Sequence, residues 1–232
     1  MILPCIWYLN MPPKAGYAYG ISAEIIENLV VFEGGDGSGT STQLSLLGRR
    51  FPGPGLPAFF ATAEPSGGAV GKLIRQALSG DPGLRPETLA MLFAADRNEH
   101  LHAEDGIRAR CGRGELVVCD RYVLSSLVYQ GIQCGERLPR LLNSGFPAPG
   151  LVLHFDLDPE EAVRRMSGRS KLDVFENLDF QIKVRGRYLS LLDECREAGS
   201  RVRRMDASRP PEEVAAEVWR ELAELPIMKA NG

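Results

Sequence analysis

The fold is decided by the stretch LVVFEGGDGSGTST, residues 29–42. Its first four residues are apolar and run into glycines at Gly34 and Gly35, which is typical of a buried parallel strand. Leucines at positions 44, 46 and 47 then follow with helical spacing. The sequence therefore predicts a strand, a glycine-rich loop and a helix in immediate succession.

The loop has the glycine spacing of a phosphate-binding loop, G-x-x-x-x-G-K-[ST], in the strand–loop–helix context that this motif requires. Glycines let successive backbone N–H groups converge on an anion, and the helix N-terminus adds partial positive charge. The hydroxyl of Ser41 is expected to coordinate Mg²⁺. The predicted phosphate-binding residues are Gly34, Gly35, Asp36, Gly37, Ser38, Gly39, Thr40, Ser41 and Thr42.

The motif departs from its pattern at Thr40, which stands where lysine is expected. A lysine reaches the β- and γ-phosphates with a mobile charge, whereas threonine offers one neutral donor. A hydrogen bond to a charged group contributes roughly 1.5–3 kcal/mol. Its loss would weaken binding or slow the reaction about 10- to 100-fold unless another cation substitutes. The alternative interpretation is a glycine-rich turn that binds no ligand.

Composition sets limits on the class of protein. With 44% apolar residues in 232, the chain can bury a core without disulfides. The net charge of −3 does not suit a polyanion binder, so we expect no nucleic-acid partner and assign phosphate binding to local features. Five cysteines without C-x-x-C spacing are interpreted as reduced thiols of a cytoplasmic protein. No apolar run reaches the length of a membrane span, so we expect no membrane partner.

Strand-like and helix-like segments alternate along the chain. Strands are predicted at 29–32, 58–62, 116–119, 151–155 and 202–205. Helices are predicted at 42–50, 70–78, 87–102, 123–129, 136–142, 159–166, 178–198 and 211–225. This alternation indicates an α/β fold, with a five-stranded parallel sheet covered by helices on both faces. One domain is predicted over 29–226, between an N-terminal extension at 1–28 and a tail at 227–232.

Several segments in order resemble the thymidylate kinases. The loop with its flanks, residues 32–43, resembles the opening of that family. The later matching segments are TAEP at 62–65, LFAADR at 92–97, DRY with SS and YQG within 120–131, LDPE at 157–160 and DAS at 206–208. The resemblance implies a three-layer P-loop kinase fold and a homodimer. It also implies ATP- and Mg²⁺-dependent phosphorylation of dTMP to dTDP in dTTP synthesis.

The site residues are predicted from their chemistry and from the family resemblance. From residue chemistry, Asp120 ends a strand beside the loop and is placed to hold a water on Mg²⁺, while the guanidinium groups of Arg97 and Arg121 suit two phosphate groups. Asp120 and Arg121 are also predicted to be catalytic. The resemblance adds Phe93 stacked on thymine, Arg97 at the edge of the base and Arg121 on the monophosphate. It also implies substrate contacts by Asp36 at the sugar 3′-hydroxyl and by Glu64, Pro65, Ser126, Tyr129 and Gln130. Phe93 and Tyr129 could equally be core aromatics.

A polar, basic segment at 168–176 corresponds to the lid that covers ATP in this family. Arg169 and Lys171 are therefore the candidate catalytic cations in place of the missing loop lysine. The usual lid arginine is absent because Val174 occupies its position, and Ala63 replaces the usual arginine before Glu64. Two alternatives remain open at this stage: a kinase for another nucleoside monophosphate, and a protein that binds nucleotides without turnover.

Overall fold

A computed structural model describes residues 24–81, 83–166 and 178–229. Its strands are β1 (Ile25–Gly34), β2 (Phe59–Ala63), β3 (Leu116–Asp120), β4 (Ala148–Asp156) and β5 (Arg201–Asp206). Its helices are α1 (Thr40–Gly48), α2 (Ala69–Leu78), α3 (Pro86–His102), α4 (Ile107–Gly112), α5 (Val123–Cys134), α6 (Arg137–Asn143), α7 (Pro159–Met166), α8 (Leu178–Glu197), α9 (Pro211–Ala223) and α10 (Pro226–Lys229).

The five strands form one parallel sheet in the order β2-β3-β1-β4-β5. This confirms the predicted five-stranded parallel sheet. The central strand β1 pairs with β3 and with β4, so that Phe32 lies opposite Asp120 on one side and Leu153 on the other. Because the strands are parallel, their carboxyl ends meet at one edge of the sheet, where ligands bind in folds of this kind.

Helices cover both faces of the sheet, as predicted. Val31 of β1 faces a layer that includes Leu127 of α5 and Leu191 of α8. Phe32, the next residue, faces the opposite layer, which includes Val218 of α9. Successive β1 side chains therefore enter two separate cores, which explains why this strand is apolar without alternation.

Secondary structure extends beyond the predicted elements near both ends of the described chain. Strand β1 begins at Ile25, four residues before the predicted start, and pairs there with Ala148. The polar residues Glu27 and Asn28 interrupt the apolar pattern of the strand, so its start was not predicted. The pairing of β1 with β4 is irregular there and becomes regular again at Val30. At the other end, part of the predicted tail forms α10, which buries Ile227 and Met228.

One helix in the structure was not predicted, and two predicted segments lie wholly or mainly outside the described residues. Helix α4, six residues long, was not predicted. Residues 1–23 of the predicted extension and the predicted lid, with Arg169 and Lys171, lie outside the described residues. No helix in the described ranges combines the length and the apolar character needed to cross a bilayer.

Candidate active site

The loop between β1 and α1 has the conformation that its glycines predict. Gly37 and Gly39 have φ angles of 78° and 88°, in the left-handed region that favours glycine. Space is also limited, because a Cβ atom on Gly37 would lie 2.9 Å from the carbonyl oxygen of Ala162. A side chain at position 37 would therefore disturb both the backbone and the packing of α7.

A cavity of about 350 Å³ opens beside this loop. The loop residues that line it are Gly35, Asp36, Gly37, Gly39, Thr40, Ser41 and Thr42. The other predicted substrate-binding residues that line it are Glu64, Pro65, Phe93, Arg97, Arg121, Ser126, Tyr129 and Gln130. The structure thus brings nearly all predicted donor and acceptor residues into one cavity. Leu78, Tyr122, Ser125 and Met166 also line it and were not predicted.

The two predicted magnesium ligands lie together beneath the loop. The Ser41 hydroxyl donates a 2.6 Å hydrogen bond to Oδ2 of Asp120. The other carboxylate oxygen, Oδ1, is buried and has no hydrogen-bond partner among the described residues. Oxygen donors of this kind suit Mg²⁺, which binds through one or two protein groups together with waters and phosphates. These two residues therefore fit a magnesium site.

Arg121 follows β3 and points its guanidinium toward the loop. Its backbone has a φ of 70°, and its N–H donates to the Phe32 carbonyl oxygen at 2.8 Å. Its Nη2 donates to Oδ1 of Asp36 at 2.6 Å, and the guanidinium lies 5.1 Å from the ring centre of Tyr129. The arginine is thus held in the cavity by a carboxylate that is itself partly exposed.

The side chain of Arg97 is more deeply buried than that of Arg121. Its side chain is 1% exposed, and its Nε and Nη2 donate to Oε2 of Glu64 at 2.9 and 2.6 Å. Nη2 also donates to Ser126 Oγ at 3.1 Å, and Nη1 donates to Oδ1 of Asn143. The ion pair is therefore buried, not a surface pair. Asn143 was not predicted, since its partner lies 46 residues away.

A second unpredicted contact holds the segment that follows Pro65. Asp96 is buried and accepts hydrogen bonds from the backbone N–H and the hydroxyl of Ser66, each at 2.6 Å. The carbonyl oxygen of Ser66 in turn accepts a hydrogen bond from Nη1 of Arg75. Asp96 thus ties helix α3 to the Glu64–Pro65 wall of the cavity. The sequence feature that could have identified Asp96 is its position beside Arg97 in the LFAADR segment.

The positive charge around the loop is limited in the described part of the chain. The cationic side chains that line the cavity there are Arg97 and Arg121, and each is paired with a carboxylate. Thr40 lines the cavity but brings no charge. Arg164 and Arg165, in the last turn of α7, pair with Glu161. A substitute for the loop lysine is therefore not among the described cavity residues.

This sheet order, with a phosphate loop after β1 and a polar cavity beside it, defines a P-loop kinase. Residues 32–218 match the family model described as thymidylate kinase. The chain belongs to the thymidylate kinase family, and its activity is the phosphorylation of dTMP. The family resemblance, and the fold and activity expected from it, are thereby confirmed.

Individual relatives agree with the family match. A putative thymidylate kinase of Treponema pallidum (strain Nichols) is 43% identical over 173 residues, which are 74% of this chain and 82% of the relative. A probable thymidylate kinase of Pyrobaculum aerophilum is 43% identical over 191 residues, 82% of this chain and 93% of the relative. One from Methanocaldococcus jannaschii is 40% identical over 172 residues, 73% and 85% of the two chains.

Proposed function

We propose that the chain transfers the γ-phosphoryl group of ATP to dTMP in a Mg²⁺-dependent reaction, with the loop side of the cavity as donor site and the opposite side as acceptor site. The observation that supports this division is that one cavity is lined both by the phosphate loop and by Arg97, Arg121 and Phe93. Phosphoryl transfer depends mainly on positioning and on charge stabilisation, which such a cavity can supply.

On the donor side, backbone N–H groups of the loop would hold the ATP phosphates, with Thr40 as a neutral donor. Ser41 and Asp120 would hold Mg²⁺, the latter through a water. When bound, Mg²⁺ neutralises charge that develops on the phosphate oxygens. The free Oδ1 of Asp120 is the acceptor that would order the water.

On the acceptor side, Arg121 would exchange its Asp36 partner for the monophosphate of dTMP. Asp36 would then be released toward the sugar 3′-hydroxyl. Phe93, partly buried, would stack on thymine, while Arg97 would meet the edge of the base from the position that Glu64 fixes. Ser126, Tyr129 and Gln130 would line the base and sugar, with Pro65 at the border of the base.

Replacing Ser41 by alanine should raise the apparent Kd for Mg²⁺–ATP about tenfold, which corresponds to about 1.4 kcal/mol. The reason is the loss of the hydroxyl that lies 2.6 Å from Asp120. Titration of ATP at fixed and at varied Mg²⁺ measures the effect. Ser41→Thr keeps the hydroxyl and is the matched control. If both variants bind Mg²⁺–ATP as tightly as the unmodified chain, Ser41 is not a magnesium ligand.

The charge missing at Thr40 is proposed to come from Arg169 or Lys171. Neutralising the residue that substitutes should lower kcat about tenfold or more, and Thr40→Lys should restore part of that loss. Steady-state kinetics of both single variants and the double variant measure this. Arg164→Ala, whose arginine is paired with Glu161, is a nearby control. Unchanged kinetics in the two single variants at Arg169 and Lys171 and in the double variant would show that neither residue supplies the missing charge.

We also propose that the protein acts as a homodimer in the cytoplasm. Both proposals are supported by what the family resemblance implies. The cysteines in the described part of the chain, Cys111, Cys119, Cys134 and Cys195, are free thiols, which suits a reducing compartment. Light scattering of the purified protein tests the dimer directly.

A further inference from the structure

A buried carboxylate lies directly before the phosphate loop. Glu33, the penultimate residue of β1, has no exposed surface. It accepts hydrogen bonds from the backbone N–H groups of Tyr122 and Ser125 at 3.0 and 3.3 Å. Because Tyr122 is the N-cap of α5 and Ser125 lies in its first turn, Glu33 caps this helix from a neighbouring strand. Helix α5 carries residues of the proposed acceptor site, so this capping connects that site to the strand that precedes the phosphate loop.

Two hydroxyl groups complete the environment of this carboxylate. The Ser125 hydroxyl donates to Oε2 of Glu33 at 2.6 Å, and the Tyr188 hydroxyl donates to the same oxygen at 3.1 Å. The two hydroxyl oxygens lie 2.8 Å apart. Tyr188 comes from α8 and is fully buried, although it does not line the large cavity. The mechanism proposed above gives this buried phenol no role.

These hydroxyl oxygens face the guanidinium of Arg121. Its Nη1 lies 3.4 Å from Ser125 Oγ and 3.5 Å from Tyr188 Oη, and donates to both. Since the hydroxyl protons are directed to Glu33, their lone pairs are available to Arg121. Its Nη1 edge is thus oriented by hydroxyls that a buried carboxylate polarises. Its Nη2 edge meets Asp36 instead.

The two edges of Arg121 differ in how easily they can change partner. Asp36 is about one-third exposed and sits in the loop, where an incoming phosphate can replace it. Of the two Nη1 partners, Tyr188 is fully buried behind the cavity, whereas Ser125 is partly buried and lines it. The Nη1 edge can therefore keep its orientation while the Nη2 edge exchanges ligands.

We propose that Tyr188 is a positioning residue, whose hydroxyl holds Arg121 in the orientation that binds the acceptor monophosphate. This rests on the proposed role of Arg121 as the residue that holds the phosphate of dTMP. Through Tyr188, helix α8 contributes to recognition of the phosphate without touching the substrate. The ring of Tyr188 also packs edge-on against Tyr129, with 6.3 Å between the ring centres. Replacing Tyr188 with phenylalanine keeps a ring at this position and removes the hydroxyl that bonds Arg121, so the expected loss is specific to the phosphate.

The test compares a ligand that has the phosphate with one that lacks it. Calorimetry with Tyr188→Phe should show dTMP binding about tenfold weaker, while thymidine binding stays within twofold. Ser190→Ala removes a hydroxyl from the same helix; this hydroxyl donates to the Arg187 carbonyl oxygen, so the change should alter neither affinity. Ser125→Ala removes the other Nη1 partner and should give the same selective loss. It is the alternative test variant if Tyr188→Phe does not fold.

The variant Arg121→Ala tests the proposed role of Arg121 separately from that of Tyr188. It should weaken dTMP binding selectively, and adding Tyr188→Phe to it should cause no further loss. If Arg121→Ala is selective but Tyr188→Phe changes both ligands equally or neither, the positioning role of Tyr188 is wrong. If Arg121→Ala shows no selectivity, the proposed role of Arg121 fails and the role of Tyr188 fails with it.

Discussion

Replacing Arg121 with alanine is expected to lower kcat/KM for dTMP by about 10²- to 10⁴-fold. With Arg121 in its proposed role, the variant would lose two charge-assisted hydrogen bonds to the monophosphate, each worth roughly 1.5–3 kcal/mol. At about 1.4 kcal/mol for each factor of ten, their loss gives this range. Initial rates of ADP formation at varied dTMP measure the effect, and the KM for ATP should change much less.

Two further variants make this result specific. Arg121→Lys keeps the charge but not the forked geometry, and should recover only part of the activity. Arg140→Ala removes another partly buried arginine, which pairs with Glu194 and does not line the cavity, so its kinetics should be nearly normal. If Arg121→Ala retains kcat/KM within threefold of the unmodified chain, Arg121 does not bind the acceptor phosphate.

Replacing Arg97 with alanine is expected to lower the free energy of unfolding by about 3–5 kcal/mol, the usual effect of breaking a buried ion pair on one side. The Glu64 carboxylate, 2% exposed, would lose both of its guanidinium hydrogen bonds. Asn143 would also lose its guanidinium partner. Urea unfolding at neutral pH measures the change, provided that the slope with denaturant stays constant.

The double replacement Arg97→Met with Glu64→Leu should destabilise the protein less than Arg97→Ala alone, because it leaves no unpaired buried charge. Arg85→Ala breaks an exposed pair with Glu87 and should leave the unfolding curve nearly unchanged. Equal and small effects of all three changes would show that Arg97 and Glu64 do not form the buried pair described above.

Local patterns made the fold predictable. The apolar run at 29–32 and the glycines after it define β1 and the loop without reference to the rest of the chain. The start of β1 could not be predicted in the same way, because Glu27 and Asn28 interrupt its apolar pattern. What keeps Ile25 and Ile26 in the sheet is their pairing with Ala148 and Pro149, more than 120 positions away.

The candidate site was predictable where a motif carries its residues. Asp120 and Arg121 were found because they follow a predicted apolar strand and also stand in the DRY segment, and the structure places them beside the loop. Glu33 was not singled out, although it lies within the quoted stretch. Its contact with Tyr188 spans 155 positions in the chain, and no spacing rule connects them.

We propose that a phosphate loop with Thr40 in place of lysine still supports phosphoryl transfer to dTMP. The most direct measurement is steady-state ADP formation by the unmodified chain with ATP, Mg²⁺ and, in turn, dTMP, dUMP, UMP and CMP. We predict ADP formation that depends on the acceptor and has its highest kcat/KM with dTMP. ATP binding without ADP formation, or a clear preference for another monophosphate, would contradict the claim.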